Sequence, residues 1–479
     1  MLFRKYLLPL ILCGLTSVGL AQQQTNSQPS AGVTNAAATA AKQQAFDRLL
    51  KELEDLIPGT YDKDSQEQQT LTDVVYGFIA GNQTRVSESL SKLIQLDEKV
   101  PPRELLLAGL AYSSNNAAGG RALLEQAGVR HREHPAIPLA FARLALIQGR
   151  YFEAFACIEK ARQSNNQSNL GAELKKYYEI ACLDSLTVIE IRRNELKPAE
   201  RYALQWQQLA PESDKMLLAA GEVKFLQEKI DEAVSFLNRR SDNIKNVTPT
   251  QLILGKWFQA KNDDANYGKW IDEAFAKHPD NPITQLEFAA LQIRTEKFER
   301  AASVVAEYEA ANGESQQSKL IKARVAFANN DFESAEKNFT QLLQSQPNSF
   351  EHAYFLILSM LESKDDAKRK QAVELAKRAY QTFRNNQLLA AALGWALYQT
   401  GDKKLGTDLL AQAKGIGSTL PDTAYFLAEI MAADGRNVQA KTLLSPFVNS
   451  PAVFVYRERA KSLLKSLGSS EDLPTPGDK

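Results

Sequence analysis

The sequence predicts an all-α chain built from about eleven repeated helix pairs, and three observations carry that prediction. Segments aligned along the chain begin at residues 67, 101, 135, 169, 214, 248, 282, 316, 350, 387 and 421, and eight of the ten intervals are 34 residues. A fixed period in this range marks a stacked array of one supersecondary unit. The twenty-fourth residue of every segment is apolar, from Leu90, Leu124 and Ile158 to Phe339, Leu410 and Leu444, while the twentieth is small in nine of eleven, with Val86 and Tyr267 the exceptions. The eighth is Ala or Gly at Ala108, Ala142, Gly221, Gly255, Ala289, Ala323, Gly394 and Ala428. Two antiparallel helices approach closely only where a side chain is absent or a single methyl, and a bulky neighbour one turn on fills the seam.

The composition agrees. The 479 residues are 44% hydrophobic and 24% charged, and 57 Lys plus Arg balance 57 Asp plus Glu. Such a chain is neither disordered nor a polytopic membrane protein, and it has no bulk field to attract nucleic acid.

Taken in order, residues 1–21 read as a cleaved secretory signal: Arg4 and Lys5 precede a mostly apolar run from Tyr6 to Leu20, and Gly19-Leu20-Ala21 places small residues before Gln22. That implies an exported protein, periplasmic or secreted. The run is too short and interrupted to span a membrane. Residues 22–41 lack charge until Lys42 and are expected to be a flexible linker. A leading helix is expected over 42–60, where Phe46, Leu49, Leu50, Leu53, Leu56 and Ile57 follow helical spacing until Pro58-Gly59. The repeats occupy 67–450. Their fourth interval carries 11 extra residues between Ala172 and Pro198, about three helical turns, so longer helices can absorb them without losing the packed face. Pro211, Pro279 and Pro347 end second helices. A solubilising cap is expected over 451–468, with Val453, Tyr456, Ala460, Leu463, Leu464 and Leu467 inward and Arg457, Arg459, Lys461 and Lys465 outward. Residues 469–479 are expected to be a disordered tail.

The period, with the copies from Pro135, Ser315 and Leu388, resembles the tetratricopeptide repeat family, and specifically exported bacterial cell-envelope members. The family's Trp at position 4 is absent throughout, and Asp73, Lys175 and Lys322 occupy normally apolar position 7. The resemblance implies a right-handed α-solenoid whose first-helix positions 2, 5, 9, 12 and 13 line a concave groove. There the sequence places Phe225, Phe327, Tyr354, Trp395, Tyr398 and Tyr425, interleaved with Lys256, Arg294 and Arg324. An exposed aromatic row flanked by positive charge is the expected partner site.

The search for chemistry finds surface instead. His131-Arg132-Glu133-His134 lacks zincin spacing, Asp263–Gly268 resembles a calcium loop but carries Ala265 and Tyr267 at ligand positions, and no nucleophile elbow, phosphate loop or Cys-x-x-Cys occurs. Cys157 and Cys182 are expected about 12 Å apart, beyond disulfide reach. The expected function is a non-catalytic exported scaffold for a protein or peptide partner, with no cofactor and no metal. The alternatives are an envelope enzyme with a helical superhelix, of lytic transglycosylase or metalloprotease type, or a structural adaptor in polysaccharide or protein export.

Overall fold

The computed structural model describes residues 35–243, 247–415, 419–450 and 454–468. These form 24 helices and, among the described residues, no strand. The chain divides into two compact units, one up to Thr250 and one from Gln251.

In the first unit, α1 (Asn35–Leu56) precedes five helix pairs: α2 (Gln66–Ile79) with α3 (Gln83–Leu96), α4 (Arg103–Ser113) with α5 (Ala117–Arg130), α6 (Ala136–Ile147) with α7 (Tyr151–Gln167), α8 (Ala172–Arg192) with α9 (Leu196–Leu209), and α10 (Asp214–Leu226) with α11 (Ile230–Asn243). The second unit continues with α12 (Thr250–Ala260) and α13 (Asp264–Lys277), α14 (Pro282–Arg294) and α15 (Phe298–Asn312), α16 (Gln316–Ala328) and α17 (Phe332–Ser345), α18 (Phe350–Leu361) and α19 (Asp366–Thr382), α20 (Gln387–Gln399) and α21 (Lys403–Gly415), and α22 (Pro421–Ala433) and α23 (Asn437–Val448). It ends with α24 (Arg457–Ser466). The result is an all-α helical-repeat solenoid with the helix-pair order that the period predicts.

The repeat columns are the seams of the pairs. All eleven residues of the twenty-fourth column are buried, as are all of the twentieth. The eighth column meets the twenty-fourth directly: a Cβ built on Gly221, Gly255 or Gly394 would lie 3.3, 2.7 or 2.9 Å from Leu237, Ile271 or Leu410. At Gly406 the opposing atoms are backbone, Gly394 O and Tyr398 N, both 2.6 Å from where the Cβ would be. No residue but glycine fits there without moving a helix.

The turns inside the pairs also repeat. Ten of the eleven segments place a left-handed residue after the first helix: Gly81, Asn115, Gly149, Asn194, Glu228, Asn262, Glu296, Asn330, Gly401 and Gly435. At Asn82, Asn116, Asp263, Asp331 and Asp402 the next side chain then accepts from a backbone N–H of the following helix's first turn, the usual N-cap arrangement. Asp263, the start of the calcium-loop resemblance, is one of these caps.

The ends differ from expectation. Helix α1 begins at Asn35, inside the expected linker 22–41, and stops at Leu56, short of the expected boundary at residue 60. Helical Ala-rich sequence continues the leading helix backwards, because alanine carries the best intrinsic propensity. The closing helix is shorter than 451–468. The expected signal 1–21, the first part of the linker, Val453 of the cap and the tail 469–479 lie outside the described residues. The 11 extra residues lengthen α8 to 21 residues, leaving its partner α9 at 14. Cys157 and Cys182 are free thiols.

Candidate functional site

The residues expected to line an exposed groove are mostly core. Phe225, Phe327, Tyr354, Trp395 and Tyr425 are between 2 and 8% exposed, and only Tyr398 is half-buried. This corrects the expectation of an exposed aromatic row. Trp395 stacks on Phe426 of the next first helix, with centroids 4.7 Å apart, and on Tyr398 at 5.8 Å. The positive flank is likewise neutralised: Lys256 pairs with Glu287, Arg294 with Asp264 at 2.5 Å, and Arg324 with Glu351 at 3.5 Å. Arg324 also lies over the Phe355 ring, and burial holds its guanidinium below the ordinary arginine range.

What covers the second unit's rings is the chain itself. Phe454 and Tyr456, just before α24, are each 4% exposed. The Tyr456 ring stacks on Tyr425 at 5.2 Å and meets Phe426 and Phe327 edge-on at 5.3 and 5.9 Å. Asp422, the second residue of α22, seats its backbone: Oδ1 accepts from the Tyr456 N–H at 3.3 Å, and Oδ2 accepts from the Tyr354 hydroxyl at 3.0 Å. Burial pushes the Asp422 carboxyl up to about 6, against the opposing pull of those hydrogen bonds and of Arg324. The same burial, with Asp422 beside it, drives the Tyr354 hydroxyl well above the usual tyrosine range.

Two arginines fix the segment at either side. Arg457 donates to Glu296 at 2.5 Å and to the carbonyls of Phe447 and Val448, closing the end of α23. Arg459 donates to both oxygens of Glu362, at 2.6 and 3.1 Å, and to Asn330 at 3.2 Å, with its guanidinium over the Phe332 and Tyr456 rings. This fork geometry is the strong form of an arginine–carboxylate pair. Beside it a pocket of about 180 Å³ remains, lined by Leu361, Glu362, Trp395, Gln399, Tyr425, Glu429, Tyr456 and Arg459.

The first unit covers its leading first helices, α2 and α4, with α1. Leu49, Leu53 and Ile57 are buried with Leu71, Val74, Leu106 and Leu110. Gly109 of α4 makes room: its missing Cβ would lie 2.5 Å from Leu56 Cδ1. Glu52 of α1 is buried, and Arg143 of α6 reaches it at 3.3 Å. Burial raises the Glu52 carboxyl and Arg143 opposes that rise. Elsewhere in this unit, burial holds Glu222 at about 7 and Asp184 at about 6.

The histidines of the 131–134 cluster make local contacts. His131 lies 3.2 Å from Glu104, and His134, pushed down to about 4 by burial, meets Tyr178 edge-on. Among the described residues, no three His, Cys, Asp or Glu side chains converge as a metal site, and no helix is long and apolar enough to cross a membrane.

Sequence reasoning places Tyr456 on a packing face but leaves Asp422, Glu296 and Glu362 unnoticed and sends Arg457 and Arg459 to solvent. The available signal is electrostatic: Arg457, Arg459, Lys461 and Lys465 follow repeats that present Glu296 and Glu362 just past the ends of first helices.

These features define a class, an all-α helical-repeat protein of tetratricopeptide-like helix pairs. No family model and no curated protein matches the sequence. Among solved structures the chain is similar to a thermophilic TPR protein of Thermus thermophilus, at 17% identity over 38% of this chain and 99% of that one, TM-score 0.33. It is similar to a tetratricopeptide repeat protein from Parabacteroides merdae, at 12% identity over 62% and 98%, TM-score 0.32. It is also similar to the Cut9–Hcn1 hetero-tetramer of the APC/C, at 12% over 90% and 95%, TM-score 0.35. Likenesses of this size carry no argument of their own; the assignment rests on the chain's period, seams and turns.

Proposed function

We propose that this chain is a non-catalytic scaffold that holds protein or peptide partners on the first-helix faces of its repeats. One observation supports the reading above others: the second unit already seats a stretch of polypeptide there, through stacked rings, a backbone N–H on Asp422 and two arginine–carboxylate pairs, one of them forked. Those are the means by which helical grooves recognise peptides. The basic, apolar and small-residue order of residues 1–21 supports export to the periplasm or beyond.

Site-specific photo-crosslinkers test the binding reading. Placed at Tyr398 and Gln399, on a first-helix face, they are expected to capture partners in native extracts, whereas one at Phe152, an exposed second-helix residue, is not. Capture only from Phe152 would put the surface on the outer helices. Export is tested by N-terminal sequencing of the protein from its native host, which is expected to begin at Gln22; an intact Met1 would refute cleavage.

A further inference from the structure

We propose that the first-helix groove of the second unit is a recognition site for a segment carrying an aromatic anchor followed by arginines one and three residues later, and that residues 454–467 are a built-in occupant which such a partner displaces. The inference deepens the scaffold reading and rests on it for its biological use.

The contacts are those of a ligand more than of a structural cap. Of the ten residues of α24 only Ala460 is buried, and a helix this short is marginal without outside support. The support comes from Phe454, Tyr456 and Ala460 in the core, from the partly buried Leu463, Leu464 and Leu467 packed against it, and from the ion pairs of Arg457 and Arg459. Tyr456 inserts between Tyr425, Phe426 and Phe327, and Asp422 reads its backbone N–H, a contact open to any residue but proline. Arg457 and Arg459 reach Glu296 and Glu362, which stand just past the ends of α14 and α18. A cap that only shielded the last pair would have no use for carboxylates this many repeats back.

The charge pattern is complementary at two points: Arg457 meets Glu296 and Arg459 meets Glu362, while Lys461 pairs with Glu458 of its own helix and Lys465 is exposed. The fit is also incomplete. The pocket of about 180 Å³ between Trp395, Gln399, Tyr425 and Glu429 is left unfilled beside Arg459, and Glu429 accepts a hydrogen bond from the Tyr425 hydroxyl. A partner side chain that fills this space, above all a cationic one between two aromatic walls and Glu429, would outcompete the chain's own segment. Elements held by few buried contacts open locally at lower cost than the whole fold.

The test uses the full chain and a labelled synthetic peptide spanning Phe454 to Gly468. Wild-type protein is expected to bind it weakly because the site is occupied. The variant Arg457→Ala with Arg459→Ala, whose own segment is loosened, is expected to bind about tenfold more tightly, and adding Glu362→Ala is expected to remove that gain. A peptide with alanine at the Tyr456 position is expected not to bind. Hydrogen exchange on the wild-type chain is read in parallel: the amides of α24 are expected to exchange about a hundredfold faster than those of α22. Equal peptide affinity for wild type and variant, or α24 protected as fully as α22, would make the segment permanent core and overturn the proposal. Should the double variant lose its helical circular dichroism, Arg459→Lys, which keeps the charge and loses the fork, replaces it, and the exchange experiment stands regardless. Failure here leaves capture through Tyr398, which does not line this pocket, able to succeed, so the scaffold reading falls separately.

Discussion

In the first unit a 22-residue helix covers the leading first helices, α2 and α4, whereas in the second a short turn leading into a ten-residue helix seats against first helices. The first cover is aliphatic, with Leu49, Leu53 and Ile57 packed on Leu71, Val74 and Leu106, and it has one buried pair, Glu52 with Arg143. The second is aromatic and charged, with Tyr456 among rings and Arg457 and Arg459 on carboxylates. Interdigitated aliphatic packing resembles a domain core, which transient occupants rarely imitate. Rings, backbone acceptors and forked ion pairs are how exchangeable segments are held. The same repeat therefore carries an aliphatic cover over its leading pairs in one unit and an aromatic, charged one in the other.

Several substitutions sharpen this contrast. The largest effect is expected where no side chain can yield. Gly406→Ala sets a Cβ against the backbone of Gly394 and Tyr398 and should cost about 3 kcal/mol, read by chemical denaturation. A cost under about 1 kcal/mol would show that α20 and α21 separate easily. Next, Arg143→Met leaves Glu52 buried without its cation and should cost about 2 kcal/mol, with most of the loss recovered by adding Glu52→Gln. A non-recovering double variant would assign the loss to packing of the arginine stem instead.

The acids supply a pH signature. Asp422 titrates at about 6 in the folded chain and near 4 when unfolded, so the folded state binds the extra proton between those values. Its contribution to stability is greatest below about 4 and is lost as pH rises through about 6, on the order of 2 kcal/mol. Tyr354, the backbone N–H groups of Val455 and Tyr456, and Arg324 face it. Asp422→Asn should flatten that slope in a series of denaturation midpoints from pH 4 to 8; an unchanged slope would mean that the carboxyl is solvated. Glu222 in the first unit slopes the same way, and so the comparison is made between variant and wild type.

Gly109→Ala should cost about 1 kcal/mol, less than Gly406→Ala, because the atom it meets is the far end of Leu56. Smallest of all are the left-handed turn residues. Glu228→Gly relieves a positive φ of 64° and should stabilise by about 0.5 kcal/mol. Glu296→Gly relieves the same strain but removes the partner of Arg457, and should be neutral or destabilising. Equal effects at the two positions would mean that the Arg457 pair contributes nothing.

Helix pairing is legible in the sequence because small and bulky columns at fixed spacing are local and repeated, and one shift of register would break them all at once. The left-handed column is equally periodic yet passes unread, since it alternates Gly, Asn and Glu, three residues with no shared side-chain property and one shared backbone need. The aromatic residues of the first-helix stripe stand out correctly as a set, but their pattern places them at the surface. Their exposure depends on contacts such as Tyr456 with Phe327, about 130 residues apart in sequence. No periodicity encodes a terminus folding back. The two cysteines, expected from helix geometry to lie beyond disulfide reach, are free thiols.

The seating of residues 454–467 beside their own repeats makes competition intramolecular. A segment tethered this closely acts at an effective concentration on the order of 1 mM. If its intrinsic dissociation constant were about 100 µM, it would fill the groove roughly ten times out of eleven, and a free competitor would bind about tenfold more weakly than its contacts deserve. The tether thus sets a threshold: scarce, loosely matched segments are screened out, while an abundant or better-fitting one gains entry, and the threshold is adjustable through Arg457 and Arg459 without touching the groove.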